Sequence, residues 1–214
     1  MFSEKMRRTT LSGFLMALVA LVMWWACNAF IPVIASGLAS AQAKLDGLDK
    51  LATQKLSEDW KAFAVNCFNI GGLLGTLLTI PLAKTLGRKK MFAIYFALSA
   101  LAIMGTFGLN LPPHDRLYGY FFIGLSVFGV FGSFTYYLPE LFPTRLRATG
   151  AGFCYNAGRF IAAGGPFLVG AIASMGADSL GTAIKVLFWV GIVPILGLLL
   201  LPMVIETKGR LLED

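Results

Sequence analysis

Arg159 lies in the segment Tyr137–Pro166, YLPELFPTRLRATGAGFCYNAGRFIAAGGP, which passes from a charged turn into a glycine-rich apolar run. It follows Arg147 by 12 residues, about 18 Å of helix, which places it near the middle of a hydrocarbon layer about 30 Å thick. A central arginine there costs about 2.5–3.5 kcal/mol even on insertion scales, so it must face a cavity or a partner. Tyr155 is at i−4 and Asn156 at i−3, so both share its helical face and form a donor-rich patch with it. A planar, permanently charged guanidinium suits bidentate binding of a carboxylate. Two readings follow and stay open. In one, Arg159 contacts an anionic substrate, an organic acid or an acidic sugar. In the other it is structural, bonded to helix carbonyls at the Gly164-Gly165-Pro166 break or to an acid in a partner. Trp24, Trp25 and Asn28, with Asn66 and Asn69, are further polar or aromatic candidates within apolar sequence. Against a binding role for them stand aromatic packing and hydrogen bonding between helices.

The elements that hold these residues follow from composition. Of 214 residues, 57% are hydrophobic and 14% charged, with mean hydropathy +0.74. A soluble domain of this size cannot hide that much apolar surface, which excludes that class. Six apolar runs are long enough to span a bilayer: 11–36, 61–86, 91–110, 117–138, 148–175 and 182–205. The fold class is therefore all-α, a single six-helix transmembrane domain. Cys27, Cys67 and Cys154 lie inside apolar runs and form neither a disulfide framework nor a metal site. His114, in LPPHDR, reads as a surface residue. KMRR followed by an apolar run resembles a signal sequence, but the run is longer than the 7–15 residues, roughly, of such a region. No catalytic constellation, cofactor motif or nucleotide-binding loop is legible, so neither an enzyme nor an ATP-driven pump is expected. No Asp or Glu lies deep in a span; a proton-coupling carboxylate would have to come from elsewhere.

Six spans put both termini on one side. Lys5, Arg7, Arg8, Lys84, Arg88, Lys89, Lys90, Arg145, Arg147, Lys208 and Arg210 fall on that side, whereas the opposite loops balance their bases with acids. The positive-inside rule makes the basic side cytoplasmic. It also accounts for the net +7 without a nucleic-acid partner. The expected location is the cell inner membrane, with both termini in the cytoplasm. Residues 37–60 read as an outer loop, either carrying a short amphipathic helix at the interface or polar and mobile. Ser57, ahead of Glu58 and Asp59, reads as the N-cap of the second span. Pro166 is expected to kink the fifth span. Glycines at 71, 72 and 75 and at 119, 124, 129 and 132 are expected to let helices approach closely.

Three inner-side segments resemble motifs of the major facilitator superfamily, in particular the carboxyl-terminal halves of sugar-porter-like carriers and metabolite–proton symporters. PLAKTLGRKK is similar to the glycine–aspartate–arginine–glycine–arginine loop through Gly87, Arg88 and Lys89, with Lys84 where that pattern has aspartate. PELFPTRLRATG resembles the glutamate–proline–arginine turn through Glu140, Pro143 and Arg147. IETKGRLLED resembles the proline–glutamate–threonine–lysine–glycine signature through Glu206, Thr207, Lys208 and Gly209, with Ile205 replacing its proline. The resemblance implies one half of a twelve-span fold, built from two inverted three-helix repeats. It implies secondary active transport of an organic anion or sugar-type metabolite by alternating access. In such a carrier Arg88, Glu140, Arg147 and Glu206 would form a cytoplasmic salt-bridge network. The implied partners are the small-molecule substrate, protons as a candidate co-substrate, the lipid bilayer, and the other six-helix half or a second copy. The rival functions are a non-transporting membrane remnant or interaction subunit, and a homodimeric six-span porter or channel.

Overall fold

In a computed structural model the described residues are 4–176 and 178–209, residues 4 and 5 by backbone alone. Arg210 and the end of the tail motif lie outside the described residues, as does the Lys5 side chain. Eight helices make six spans: α1 (Glu4–Leu45), α2 (Lys50–Leu86), α3 (Arg88–Gly108), α4 (Asp115–Glu140), the pair α5 (Arg147–Ala162) and α6 (Gly164–Met175), and the pair α7 (Ser179–Val190) and α8 (Ile192–Leu199). All six are long and apolar enough to cross a membrane. The fifth span breaks at Ala163, three residues before Pro166, as the sequence predicts. The sixth breaks the same way at Gly191, three residues before Pro194. In each case the proline lacks the N–H that would bond back one turn.

The segment expected as an outer loop differs from expectation. Residues 37–60 are not a loop: α1 continues to Leu45, only residues 46–49 turn, and α2 begins at Lys50. Between 50 and 60 there is no glycine or proline to stop a helix. The cap is Asp49, whose Oδ1 accepts the Ala52 N–H at 2.7 Å, rather than Ser57. Ser57 and Glu58 are helix interior, with Glu58 paired to Lys61 one turn on at 2.6 Å. At 42 and 37 residues, α1 and α2 are about 63 and 55 Å long, so the pair projects well beyond the hydrocarbon. This brings Trp60 and Phe63 beside the α3–α4 loop. His114 is accordingly half-buried rather than a free surface residue, its ring 5.0 Å from Phe63 and 5.3 Å from Trp60. Arg116 is also drawn in, 8% exposed, and donates to the carbonyls of Thr106 (2.6 Å) and Leu109 (3.1 Å) that end α3.

Helix pairing carries an internal symmetry. The second span lies along the fourth and the fifth along the first; the third packs on the fourth and the sixth, and the sixth also packs on the first. Exchanging spans one to three for spans four to six maps this pattern onto itself, as two three-helix repeats require. Glycine sets the tightest pair. A Cβ on Gly71 would overlap the Phe121 carbonyl, one on Gly75 the Leu125 carbonyl, and one on Gly124 the Phe68 carbonyl. The obstacles are backbone, which cannot yield as a side chain does. Gly75→Ala is therefore expected to lower the thermal unfolding midpoint, by about 1–3 kcal/mol of overpacking. Gly105→Ala, whose Cβ meets open space, is expected to be neutral or mildly stabilising. Midpoints of opposite sign in detergent are the check.

Candidate functional site

Two groups of residues emerge, one at the end of the bundle that holds the α2–α3 turn and the tail, here called the inner end after the orientation expected from sequence, and one on the face of α5. At the inner end, Gly87 takes φ 89° and turns α2 into α3. Its Cβ, if it had one, would meet the Glu206 carboxylate. That carboxylate accepts the backbone N–H groups of Arg88 at 2.9 Å and Lys89 at 3.1 Å, the first donors of α3. It also accepts the N–H of Lys208 at 3.0 Å. Glu206 thus caps α3 from the far end of the chain, filling the role of a helix N-cap.

The Arg88 side chain turns instead to Glu140. Its Nη2 and Nε donate to the two carboxylate oxygens at 2.6 and 3.0 Å, a bidentate pair, while Nη1 donates to the Ala83 carbonyl. The guanidinium also lies over the Tyr136 ring, 5.6 Å from its centre. Thr207 donates its hydroxyl to Glu140 at 2.6 Å, and Lys208 donates to the Thr85 carbonyl at 2.7 Å. Deeper, the Ile205 N–H donates to Ser12 and Tyr137, whose hydroxyls lie 3.2 Å apart. Four residues of tail, Ile205 to Lys208, therefore tie these ends of α1, α2, α3 and α4. Arg147 is not in this cluster: it opens α5 beyond the turn, where its Nη2 donates to Thr144 Oγ1 at 3.2 Å. Thr207, Tyr136, Tyr137 and Ser12 are members that reading the charges alone passed over; hydroxyls close in sequence to Glu140 and Glu206 are a sign for the first three, and Ser12 has none.

Burial works to raise the Glu206 carboxyl, but the N–H groups of Arg88, Lys208 and Lys89 and the Arg88 charge outweigh it and hold it below its ordinary value of 4.5. A carboxyl lowered in the folded state stabilises in full above the unfolded value and loses that contribution as pH falls through the folded one. Glu206→Gln is thus expected to be less stable than wild type at neutral pH. The gap should narrow below pH 4.5, read as thermal midpoints across the acid range.

The second group centres on Arg159. It is exposed, and its guanidinium stands 5.9 Å above the Tyr155 ring. It makes no hydrogen bond to the carbonyls at the Ala163 break and no ion pair among the described residues. The structural reading of this arginine therefore finds no partner within the described chain. Asn156 is exposed beside it and donates back to the Gly152 carbonyl at 2.9 Å. Tyr155 packs edge-on against Phe131 and Phe134 of α4, at 6.4 and 6.3 Å. Phe131 leads to Trp24 at 5.9 Å, and Trp24 to Trp25 and Phe128 at 5.0 and 6.1 Å. The Trp24 Nε1–H is buried without a partner among the described residues. The result is an aromatic wall from α1 through α4 to α5 with one cation at its edge. Asn28 is half-buried one turn beyond Trp24, and Asn69 is exposed on α2; neither side chain makes a hydrogen bond among the described residues. The structure brings Arg159, Tyr155, Asn156 and Trp24 into or beside this wall and shows no contact that ties Asn28 or Asn69 to it.

The family model described as "Sugar (and other) transporter" matches residues 117–214, which contain both the Glu140 turn and Arg159. A protein of Cupriavidus pinatubonensis described as a "probable 4-methylmuconolactone transporter" is 33% identical over 150 residues, 67% of this chain and 33% of its own length. The gallate transporter of Pseudomonas putida is 26% identical over 82% of this chain and 36% of its own length. The cis,cis-muconate transport protein of Acinetobacter baylyi is 32% identical over 58% of this chain and 30% of its own. The chain belongs to the major facilitator superfamily. It spans about a third of the length of the curated relatives it matches. Within the superfamily the six spans and their exchange symmetry are a half-fold, and the chain is a multi-pass membrane protein of a transporter family.

Proposed function

We propose that this chain is the carboxyl-terminal half of a secondary carrier that moves a small unsaturated or aromatic organic acid across the cell inner membrane by alternating access. Both termini lie in the cytoplasm, and a second six-helix bundle completes the cavity. The observation that carries the reading is the Arg159 guanidinium, without an ion-pair partner among the described residues, at the edge of the Trp24–Phe131–Tyr155 wall. A carboxylate would take the two parallel donors of the guanidinium, while the flat carbon frame of the acid would lie on aromatic faces. The names of three relatives agree with this chemistry: gallate, cis,cis-muconate and 4-methylmuconolactone are all carboxylic acids with rings or conjugated double bonds. The inner cluster of Arg88, Glu140, Thr207 and Glu206 then acts as a brace that holds the cytoplasmic ends together in one state. A network formed in only one conformation biases the two-state equilibrium of the carrier. Any co-transported proton uses a carboxylate of the other bundle.

The test is uptake into proteoliposomes holding the complete carrier. Radiolabelled gallate and cis,cis-muconate should accumulate and compete with one another, while a neutral hexose should do neither. Uptake of the hexose without the acids would overturn the reading.

A further inference from the structure

A second basic feature lies at the start of α1. Arg7 and Arg8 are exposed in its first two turns, and neither makes an ion pair or hydrogen bond with another described residue. The start of a helix already carries positive potential from its free N–H groups, and two guanidiniums add to it. In sequence, Glu4 is outnumbered there by Lys5, Arg7 and Arg8.

Directly beyond the arginines is an apolar groove of about 590 Å³ between α1 and α5. One wall is Leu11 and Phe14 of α1; the other is Phe153, Ala157 and Ile161, one face of α5 at i, i+4 and i+8. The eight steps from Phe153 to Ile161 give it a length of about 12 Å. Phe153 is two residues from Tyr155, about 200° around the helix. The groove is therefore on the far side of α5 from the aromatic wall and Arg159. On the function proposed above, that wall faces the second bundle, so the groove faces lipid.

Two cations without a partner among the described residues, at the mouth of an apolar trough, match an amphiphile with an anionic head. A phosphodiester accepts from guanidiniums in their planar fork. Basic recesses between spanning helices are places where anionic headgroups collect. A free phosphate would leave the trough unused. We propose that Arg7, Arg8 and the α1–α5 groove hold one anionic phospholipid, its phosphodiester on the guanidiniums and one acyl chain along Phe14, Phe153, Ala157 and Ile161. A lipid seated there braces α5 from the side opposite Arg159.

Native mass spectrometry of the purified full chain, given equal amounts of phosphatidylglycerol and phosphatidylcholine, tests this. Wild type should retain one phosphatidylglycerol in preference. Arg7→Gln with Arg8→Gln should weaken that retention roughly thirtyfold, from two surface cations lost. Ala157→Trp, which fills the groove and leaves both arginines, should also abolish it. Lys84→Gln with Lys90→Gln, which removes charge elsewhere on the same side, should not. Arg159→Ala should retain the lipid, so a failed transport reading and a failed lipid site are told apart. Unchanged retention in the double-arginine variant, retention by Ala157→Trp, or equal loss in the double-lysine variant would each overturn the proposal. So would a dimer that carries no lipid and is dissolved by Ala157→Trp.

Discussion

Arg159→Ala in the complete carrier is expected to abolish binding of the organic acid while leaving the protein at normal levels in the membrane. Truncating one partner of a hydrogen-bonded charge pair costs about 2–5 kcal/mol, roughly thirtyfold to several-thousandfold in Kd. Protein levels should hold because the guanidinium has only the Tyr155 ring as a partner in the described chain, a contact of about 0.5–1 kcal/mol at an exposed site. Arg159→Lys separates charge from geometry. It keeps the cation but loses the fork, so binding should recover in part and discriminate less between mono- and dicarboxylates. Tyr155→Phe should bind nearly as wild type, since its ring is the part that packs on Phe131 and Phe134. The measurements are equilibrium binding of labelled gallate and quantitation of the purified protein. Loss of the protein itself in Arg159→Ala would return the arginine to a structural role.

The other large effect is expected at the inner brace. Arg88→Ala leaves Glu140 with the Thr207 hydroxyl as its one side-chain partner among the described residues and removes the clamp on the Ala83 carbonyl. Both side chains of the pair are mostly covered, at 14% and 20% exposure. The loss should therefore exceed that of an open surface pair, which is worth about 0–1 kcal/mol. Charged hydrogen bonds of this kind contribute about 1.5–3 kcal/mol, a fall of roughly 4–10 °C in thermal midpoint for a chain of this size. Glu140→Ala should cost a similar amount. The double variant should cost clearly less than the two singles added, because each single leaves its partner uncompensated. Strict additivity of the three midpoints would show that the pair carries no coupling. In the complete carrier the same variants should shift the protein toward the state that is open on the cytoplasmic side.

The spans were legible because lipid imposes a length and a composition that no soluble core shares. The charged turns were legible because they interrupt those spans at the inner face. Two things escaped. The projecting α1–α2 pair was hidden because charges interrupt the apolar pattern across 37–60, which pointed to a short amphipathic helix or a polar loop; yet 50–60, with no glycine or proline, is free to continue as helix. Its consequence, the burial of His114 against Trp60 and Phe63, could not be foreseen without it. The inner network was half visible. Arg88, Glu140 and Glu206 stood out as charges, but charge alone suggested ion pairs, whereas Glu206 spends its oxygens on backbone donors of α3. Arg147 matched a family position, yet the Pro143 turn carries it away from both acids. On α5, the i−4 spacing agrees with the Tyr155 ring lying beneath the Arg159 guanidinium. The Phe128–Phe131–Phe134 wall was missed because its aromatics look like ordinary packing until α1 and α5 are set against α4.

If Arg159 looks into water shared with a second bundle, a thiol at that position reacts from the aqueous phase. Arg159→Cys, in a carrier whose Cys27, Cys67 and Cys154 are replaced by serine, would be treated in intact membranes with a charged, membrane-impermeant thiol reagent. Labelling from water is expected, slowed by gallate or cis,cis-muconate. A thiol that resists the aqueous reagent but reacts with a lipid-soluble maleimide, with or without the acids, would place the side chain against acyl chains and contradict it.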